Sequence, residues 1–456
     1  MSILKIKFLI YHNENEIYHY IVYIQTLYGY YFNIFSTIKI LMRSSAADLQ
    51  FISGPSSWYH FQFEDDNGAQ KTIHLFSDIH DFSKLCPASF HCKTNGSNRS
   101  KCFEFDYFLE LFFKKAIQNK QYVDFFLESP YRLHQKELKI NPDHNYLDLI
   151  NHRFENCLTT TKKGCKYLPY IRMHYTDIRI PDYKYVTIGS FVMELYIVLL
   201  QIILSYSRNH ISKEEYLEAV DIFESSLMSI IKNASDVSLV MMLENNFQSK
   251  VLKMFEPILK KKVKGDPARM IQNKLESLVD NLFDLVKIRG NKRTFIVKHQ
   301  IDQLRKDNIQ YKDKNMADWI LSFFVEFSKV LSQRAKELNE LFWIDQGYLR
   351  ELENLTPNNA KRFYDKIWSQ RETVLSNNIL FDLTYLDAYI LARMFRRFSK
   401  QKTTDISIVY AGNMHIETQR DFFTIFLNLN PIHVETNEDE QRCLSNADFN
   451  EIFDLN

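Results

Sequence analysis

Apolar and polar positions follow two different periods along this chain, and the places where the period changes divide it. Residues 51–63 alternate and are rich in aromatics, with Gly54-Pro55 read as the turn of a strand and hairpin. Asn67-Gly68 is a second hairpin signal. It leads into Thr72-Ile73-His74-Leu75-Phe76, a buried-strand pattern followed by Ser77, Asp78, Ile79 and His80. From Cys102 to Gln118 the spacing turns helical, with Phe105, Phe108, Leu109, Phe112, Phe113 and Ala116 on one face. Val123 to Leu127 is again a buried strand, ending at Glu128-Ser129-Pro130. Strand, helix and strand in this order predict a βαβ unit and a parallel sheet.

Residues 186–380 read as a large helical insertion. Ser212 and Glu215 make a capping box, followed by the stripe Leu217, Val220, Phe223, Leu227 and Ile231. Phe191 to Tyr206 is apolar, but Glu194 and Gln201 make it a buried core helix rather than a membrane span. Asp266-Pro267 opens a helix with the stripe Ile271, Leu275, Leu278, Leu282 and Val286. Further helices are expected from Ala317 to Trp343 and after Thr356-Pro357. Residues 381–456 return to the core through a helix at 382–398, a strand at Ile406–Tyr410, the turn Ala411-Gly412-Asn413 and a helix from Thr418 to Leu427. The fold class is therefore α/β, a mostly parallel sheet supplied by residues 46–185 and 381–456.

Composition changes this picture little. With 57 basic against 56 acidic residues, a nucleic-acid partner is not expected. Residues 1–45 stand apart as an amino-terminal arm or an upstream extension of the reading frame. Its stretch 17–38 lacks charge and is the one place where a membrane anchor competes with a buried hairpin, although its tyrosines make it polar for a span. No secretory signal pattern precedes it. Cys86, Cys92, Cys102, Cys157, Cys165 and Cys443 form no C-x-x-C pair, so free cytosolic thiols are expected rather than a zinc site or a local staple.

The chemistry concentrates where strands end. Asp78 and His80, Glu128, and His415 with Glu417 each follow a predicted strand, and the carboxyl edge of an open α/β sheet is where ligand sites assemble. Imidazole and carboxylate together suit a divalent metal held by His80, Glu128 and His415, or general acid–base work without one. Each residue taken singly also fits a hydrogen-bonded structural role. A further cluster, Arg172, His174, Asp177 and Arg179, lies on an extended segment, where cross-strand ion pairing is the plain alternative. In LDAYILARMFRRF, Arg393 suits an oxyanion or a tie between helix and sheet. His80, Glu128, His174, Asp177, Arg393 and His415 are expected to share one site.

Two resemblances rest on these residues. The runs ISGPSSWYHF, IHLFSDIH, FFLESP, HYTDIR, LDAYILARMF and IVYAGNMHI together resemble an uncharacterised protein family of large, mimivirus-like DNA viruses. That resemblance implies a host-cytoplasmic or virion setting and no activity. More distantly, strand-D-x-H, strand-Glu, an Arg-bearing helix and G-x-x-H are similar to the Tiki, TraB, ChaN and erythromycin-esterase superfamily. It implies roles for His80, Glu128, Arg393 and His415 in metal-dependent or metal-free ester or peptide hydrolysis, while Ser77-Asp78 departs from the usual Gly-Glu or Gly-Thr. A non-catalytic viral binding or virion protein, with its insertion docking a protein partner, is the alternative. A metallophosphoesterase is a lesser one, since Gly412-Asn413-Met414-His415 matches its G-N-H motif only superficially.

Overall fold

The computed structural model describes residues 5–11, 17–23, 50–79, 86, 102–130, 146–154, 157, 168–178, 188–233, 247–282, 286–289, 292–381, 383–397, 406–437 and 443–446. It separates into two units, Met1–Asp48 and Leu49–Asn456. In the first, β1 (Lys5–Tyr11) and β2 (Ile17–Tyr23) pair antiparallel.

The second unit is built on a six-stranded sheet. Its first strands are β4 (Ser57–Glu64) and β5 (Gln70–Asp78), which follow β3 (Gln50–Ser53) in the chain. The hairpin at Asn67-Gly68 forms as expected, pairing Glu64 with Gln70, and Gly68 takes a φ of 78° that only glycine adopts freely. Gly54-Pro55 makes no hairpin. Proline ends β3, and β3 joins a separate three-stranded sheet between β6 (Cys102–Glu104) and β15 (Cys443–Asn446). After β6, α1 (Phe105–Gln118) crosses to β7 (Val123–Pro130), and α2 (Tyr146–Arg153) leads to β8 (Ile171–Asp177).

The helical region includes α3 (Ile188–Ser207), α4 (Lys213–Lys232), α5 (Phe247–Leu259) and α6 (Asp266–Leu282). The capping box of Ser212 and Glu215 is present at α4. The α6 stripe stops at Leu282. Val286 lies instead in a small hairpin, β9 (Val286–Arg289) with β10 (Lys292–Phe295), so the helical period carried one residue too far. A second hairpin, β11 (Gln310–Tyr311) and β12 (Lys314–Asn315), interrupts the region after α7 (Ile296–Asp307). Lys312 and Asp313 turn there with positive φ, and the Asp66 carboxylate accepts both their backbone N–H groups. The long α8 (Met316–Glu340) follows, then α9 (Tyr348–Glu353), α10 (Pro357–Trp368), α11 (Arg371–Ile379) and α12 (Leu383–Met394). α3 is long and apolar enough to cross a membrane, yet 61% of that stretch is buried within the protein, packed on α4, α6, α10 and α11.

The chain then returns as β13 (Ile406–Gly412), α13 (Asn413–Asp421) and β14 (His433–Thr436). The sheet order is β14-β4-β5-β13-β7-β8, with β5, β13, β7 and β8 parallel. The crossover from β5 to β7 thus skips one position, and β13 fills it. All seven residues of β13 are buried, as a strand covered on both faces requires.

Side chains alternate across the sheet. On one face Phe76, Phe125 and Tyr410 meet α1, where Phe105 lies 4.8 Å from both Phe76 and Tyr410, ring centre to ring centre. On the other, Ile73, Phe126 and Val409 meet the helical region, including α12. Cys86 and Cys443 form a disulfide across 357 residues of sequence, and Cys102 and Cys157 are disulfide-bonded too. The expectation of free thiols is therefore overturned: among the described residues no cysteine is free. Spacing misled here because the bridge joins a loop after β5 to the start of β15, which only the fold brings together.

Candidate functional site

The insertion of β13 puts Gly412 opposite Asp78 of β5 and beside the end of β7. Glu128, the sixth residue of β7, shares a sheet face with Asp124 and Phe126 and so points toward α12. Its Oε2 accepts the Gly412 N–H at 2.6 Å, fastening β7 to the strand–helix junction. A carboxylate is favoured there by the amino-terminal dipole of α13.

His415, in the first turn of α13, lies between two carboxylates. Its Nδ1 is 2.9 Å from Asp387 Oδ2 and its Nε2 is 3.4 Å from Glu128 Oε1. Asp387 is fully buried on α12, and its other oxygen accepts from Gln419 Nε2 at 3.0 Å. His415 and Gln419 are four apart on one helix, so one face of α13 grips both oxygens of Asp387. His415 is 4% exposed and Glu128 9%. An imidazolium here can donate to both carboxylates, and a neutral ring oriented by Asp387 keeps Nε2 toward Glu128 and the sheet edge.

A second polar group lies further down the same face. Arg172 of β8 makes a two-pronged ion pair with Asp124 of β7, 2.6 Å at each prong. His174 Nε2 is 2.7 Å from the same carboxylate. Arg393 of α12 reaches His174 Nδ1 at 3.2 Å. Because a guanidinium only donates, His174 Nδ1 accepts and its Nε2–H is given to Asp124. Burial lowers the His174 pKa to about 4, Asp124 opposing and Arg393 reinforcing the shift, so the ring stays neutral near pH 7. Burial would raise Asp124, but the contacts with His174 and Arg172 outweigh it and hold this carboxyl well below its ordinary range.

Apart from Asp177, the described residues of the expected single constellation therefore stand in two polar groups: Glu128 with His415, and His174 with Arg393. Four residues of β7 separate them, about 13 Å along a strand. Asp177 and Asp78 are buried at the carboxyl ends of β8 and β5, on the same edge as Glu128. Glu417 faces away from His415 on α13, where Asn413 Nδ2 donates to it, and burial raises its pKa. Ser77, at the position where the resemblance carries glycine, has its hydroxyl 2.7 Å from that of Ser56 and 2.6 Å from that of Ser57. His80 and Arg179 lie outside the described residues. Of the two anchoring carboxylates, Asp387 stands out in the sequence only beside Arg393, with no role assigned, and Asp124 does not stand out at all. The available signal was an aspartate inside an otherwise apolar run, V-D-F-F-L and Y-L-D-A-Y.

The donor chemistry suits a divalent ion in part. Asp387 on Nδ1 orients His415 as carboxylates orient metal-bound histidines, leaving Nε2 beside Glu128 Oε1. Among the described residues no group of three His, Cys, Asp or Glu is arranged to hold a metal. Comparison with protein families, curated proteins and solved structures yields no match to this chain.

Proposed function

We propose that this chain is a hydrolase of ester or peptide bonds, with His415 as its acid–base group. The observation that carries the reading is the Asp387–His415–Glu128 arrangement at the carboxyl edge of the central strand. Asp387 holds Nδ1–H and stabilises the imidazolium, as an orienting carboxylate does for a catalytic imidazole. Nε2 takes a proton from water as water attacks the carbonyl carbon. The same proton then passes to the departing oxygen or nitrogen when the acyl bond breaks. The negative charge of Glu128, beside Nε2, stabilises the imidazolium, and Glu128 keeps α13 in place through Gly412. Asp78 and Asp177 border the edge, while Arg393, held by His174, stands with the separate polar group further down β7. If a divalent ion is used, His415 Nε2 and Glu128 would hold it, with His80 as a further ligand, and it would polarise the carbonyl or the water.

The test is turnover of aryl-ester and peptide panels by the full chain, with metal content measured on the same sample. His415→Gln and Asp387→Asn should each lower kcat by about 100-fold or more, the usual contribution of general acid–base catalysis. Activity that persists undiminished in both variants would sink the proposal.

The near-complete burial of His415 and Glu128 favours a second reading. There the same hydrogen bonds only tie α12, α13 and β7 together, and the chain is a viral binding or virion protein using its helical region against a partner. Of the two settings expected, virion and host cytoplasm, the Cys86–Cys443 bridge speaks for the virion, because disulfides persist outside reducing compartments.

A further inference from the structure

His433, His60 and His74 lie on the three neighbouring strands β14, β4 and β5, and the register sets them directly opposite one another: His433 pairs with His60, and His60 with His74. All three therefore project from the same face. The rings of His60 and His74 stack at 4.6 Å, and Trp58 covers His433 at 4.4 Å and donates its indole N–H to His74 Nδ1 at 3.3 Å. Phe76 and Phe112 complete an aromatic surround. Like charges placed directly opposite on adjacent strands repel, so this row tolerates neutral rings and not three imidazolium ions.

We propose that this row is an acid-operated latch: protonation of the histidines detaches the edge strand β14 from β4, while the Cys86–Cys443 disulfide keeps the released segment attached. β14 is four residues long and pairs on one side only, with β4. Ile432 and Val434 flanking His433 are exposed, so little apolar burial holds it. The segment beyond it runs from Asn437, whose N–H bonds to Ser56 O, to the bridged Cys443. Opening is thus local and reversible.

The electrostatics agree with the geometry. Burial, then the neighbouring His433, lowers the His60 pKa from 6.5 to about 4, and burial, then His60, holds His74 well below its ordinary value. On this face β14 carries Glu435, opposite Trp58 and two residues from His433; Glu64 and Asp78 lie four residues away on β4 and β5. α1 brings Phe112 to the row, and its buried Asp106 lies 3.9 Å from Arg153. His60, whose ring is held neutral while β14 covers it, binds a proton when β14 leaves. The closed form therefore loses ground as pH falls from 6.5 toward about 4.

The experiment is hydrogen exchange by mass spectrometry on the oxidised full chain across that range. Protection of residues 433–436 should fall by up to about tenfold per pH unit for each imidazole that titrates, with β7 and β13 still protected, and should recover on return to neutral pH. The paired change His60→Phe and His433→Phe, which keeps the aromatic packing and leaves only the inner His74, should reduce the pH dependence to at most that of one imidazole. Unchanged wild-type protection of 433–436, or loss only together with β7 and β13, overturns the latch. This outcome needs no assay of hydrolysis and is independent of that reading.

Discussion

Asp124 is a fully buried carboxylate that answers three partners in turn: Arg172 directly, His174 directly, and Arg393 through His174. Removing it takes the Asp124 charge away from the part-buried Arg172 guanidinium, and breaking such a pair from one side costs more than the ion pair itself contributes. Asp124→Ala should lower stability by about 3–5 kcal/mol in urea unfolding. Asp124→Ala with Arg172→Met should recover part of that loss. His174 makes a separate prediction. Its folded pKa, about 4, lies below its ordinary 6.5, so below pH 6.5 the unfolded chain takes up a proton that the folded chain refuses. Stability is complete above that pH and is lost as pH falls toward 4, by at most about 3 kcal/mol from this group. Nitrogen-15 NMR should show His174 as the Nε2–H tautomer throughout the upper part of that window. A ring that titrates near 6.5 would contradict the geometry. Polar residues that end an apolar run, such as Glu128 and His415, were readable from sequence because packing does not explain them. Asp124 was not, and Asp387 was visible only beside Arg393 and without a role, since a polar residue within an apolar run looks like noise until its partner, up to 50 residues away for Asp124, is known.

Among the elements, those with local signals were the readable ones. Ser212 and Glu215 cap α4, and Pro357 opens α10 behind Thr356, as local rules require. Ser212→Ala should cost about 1 kcal/mol and speed exchange in the first turn of α4, with no change in the sheet. Elements that depend on remote partners are not legible in local spacing. Gly54-Pro55 has the composition of a hairpin turn, yet β3 finds β6 and β15. Val286 continues the α6 period, yet pairs with Phe295. Residue spacing along a chain reports a helix face reliably and a strand partner hardly at all, because pairing partners are set by the whole sheet.

For the second unit as a whole, the α/β class and the return of the chain end to the sheet were legible; the position of β13 between β5 and β7 was not, since strand order is not written in any local pattern. The Cys86–Cys443 bridge encloses nearly all of this unit. Converting both cysteines to serine should lower its stability by roughly 2–5 kcal/mol in denaturant titration under oxidising conditions, and leave the value in strong reductant unchanged. Equal stability of both forms in oxidant would show that the bridge does not form in the purified protein.

The late arrival of β13 has a cost during biosynthesis. Until the ribosome has passed residue 412, β5 and β7 each have an unfilled side, with Phe125, Phe126 and Phe76 on flanking strands that lack their middle neighbour. At about 5–20 residues per second, the nearly 300 intervening residues keep this nascent sheet incomplete for tens of seconds. Chains halted by a premature stop codon before Ile406 should accordingly be captured by chaperones or precipitate, whereas release just after Leu427 should yield soluble polypeptide.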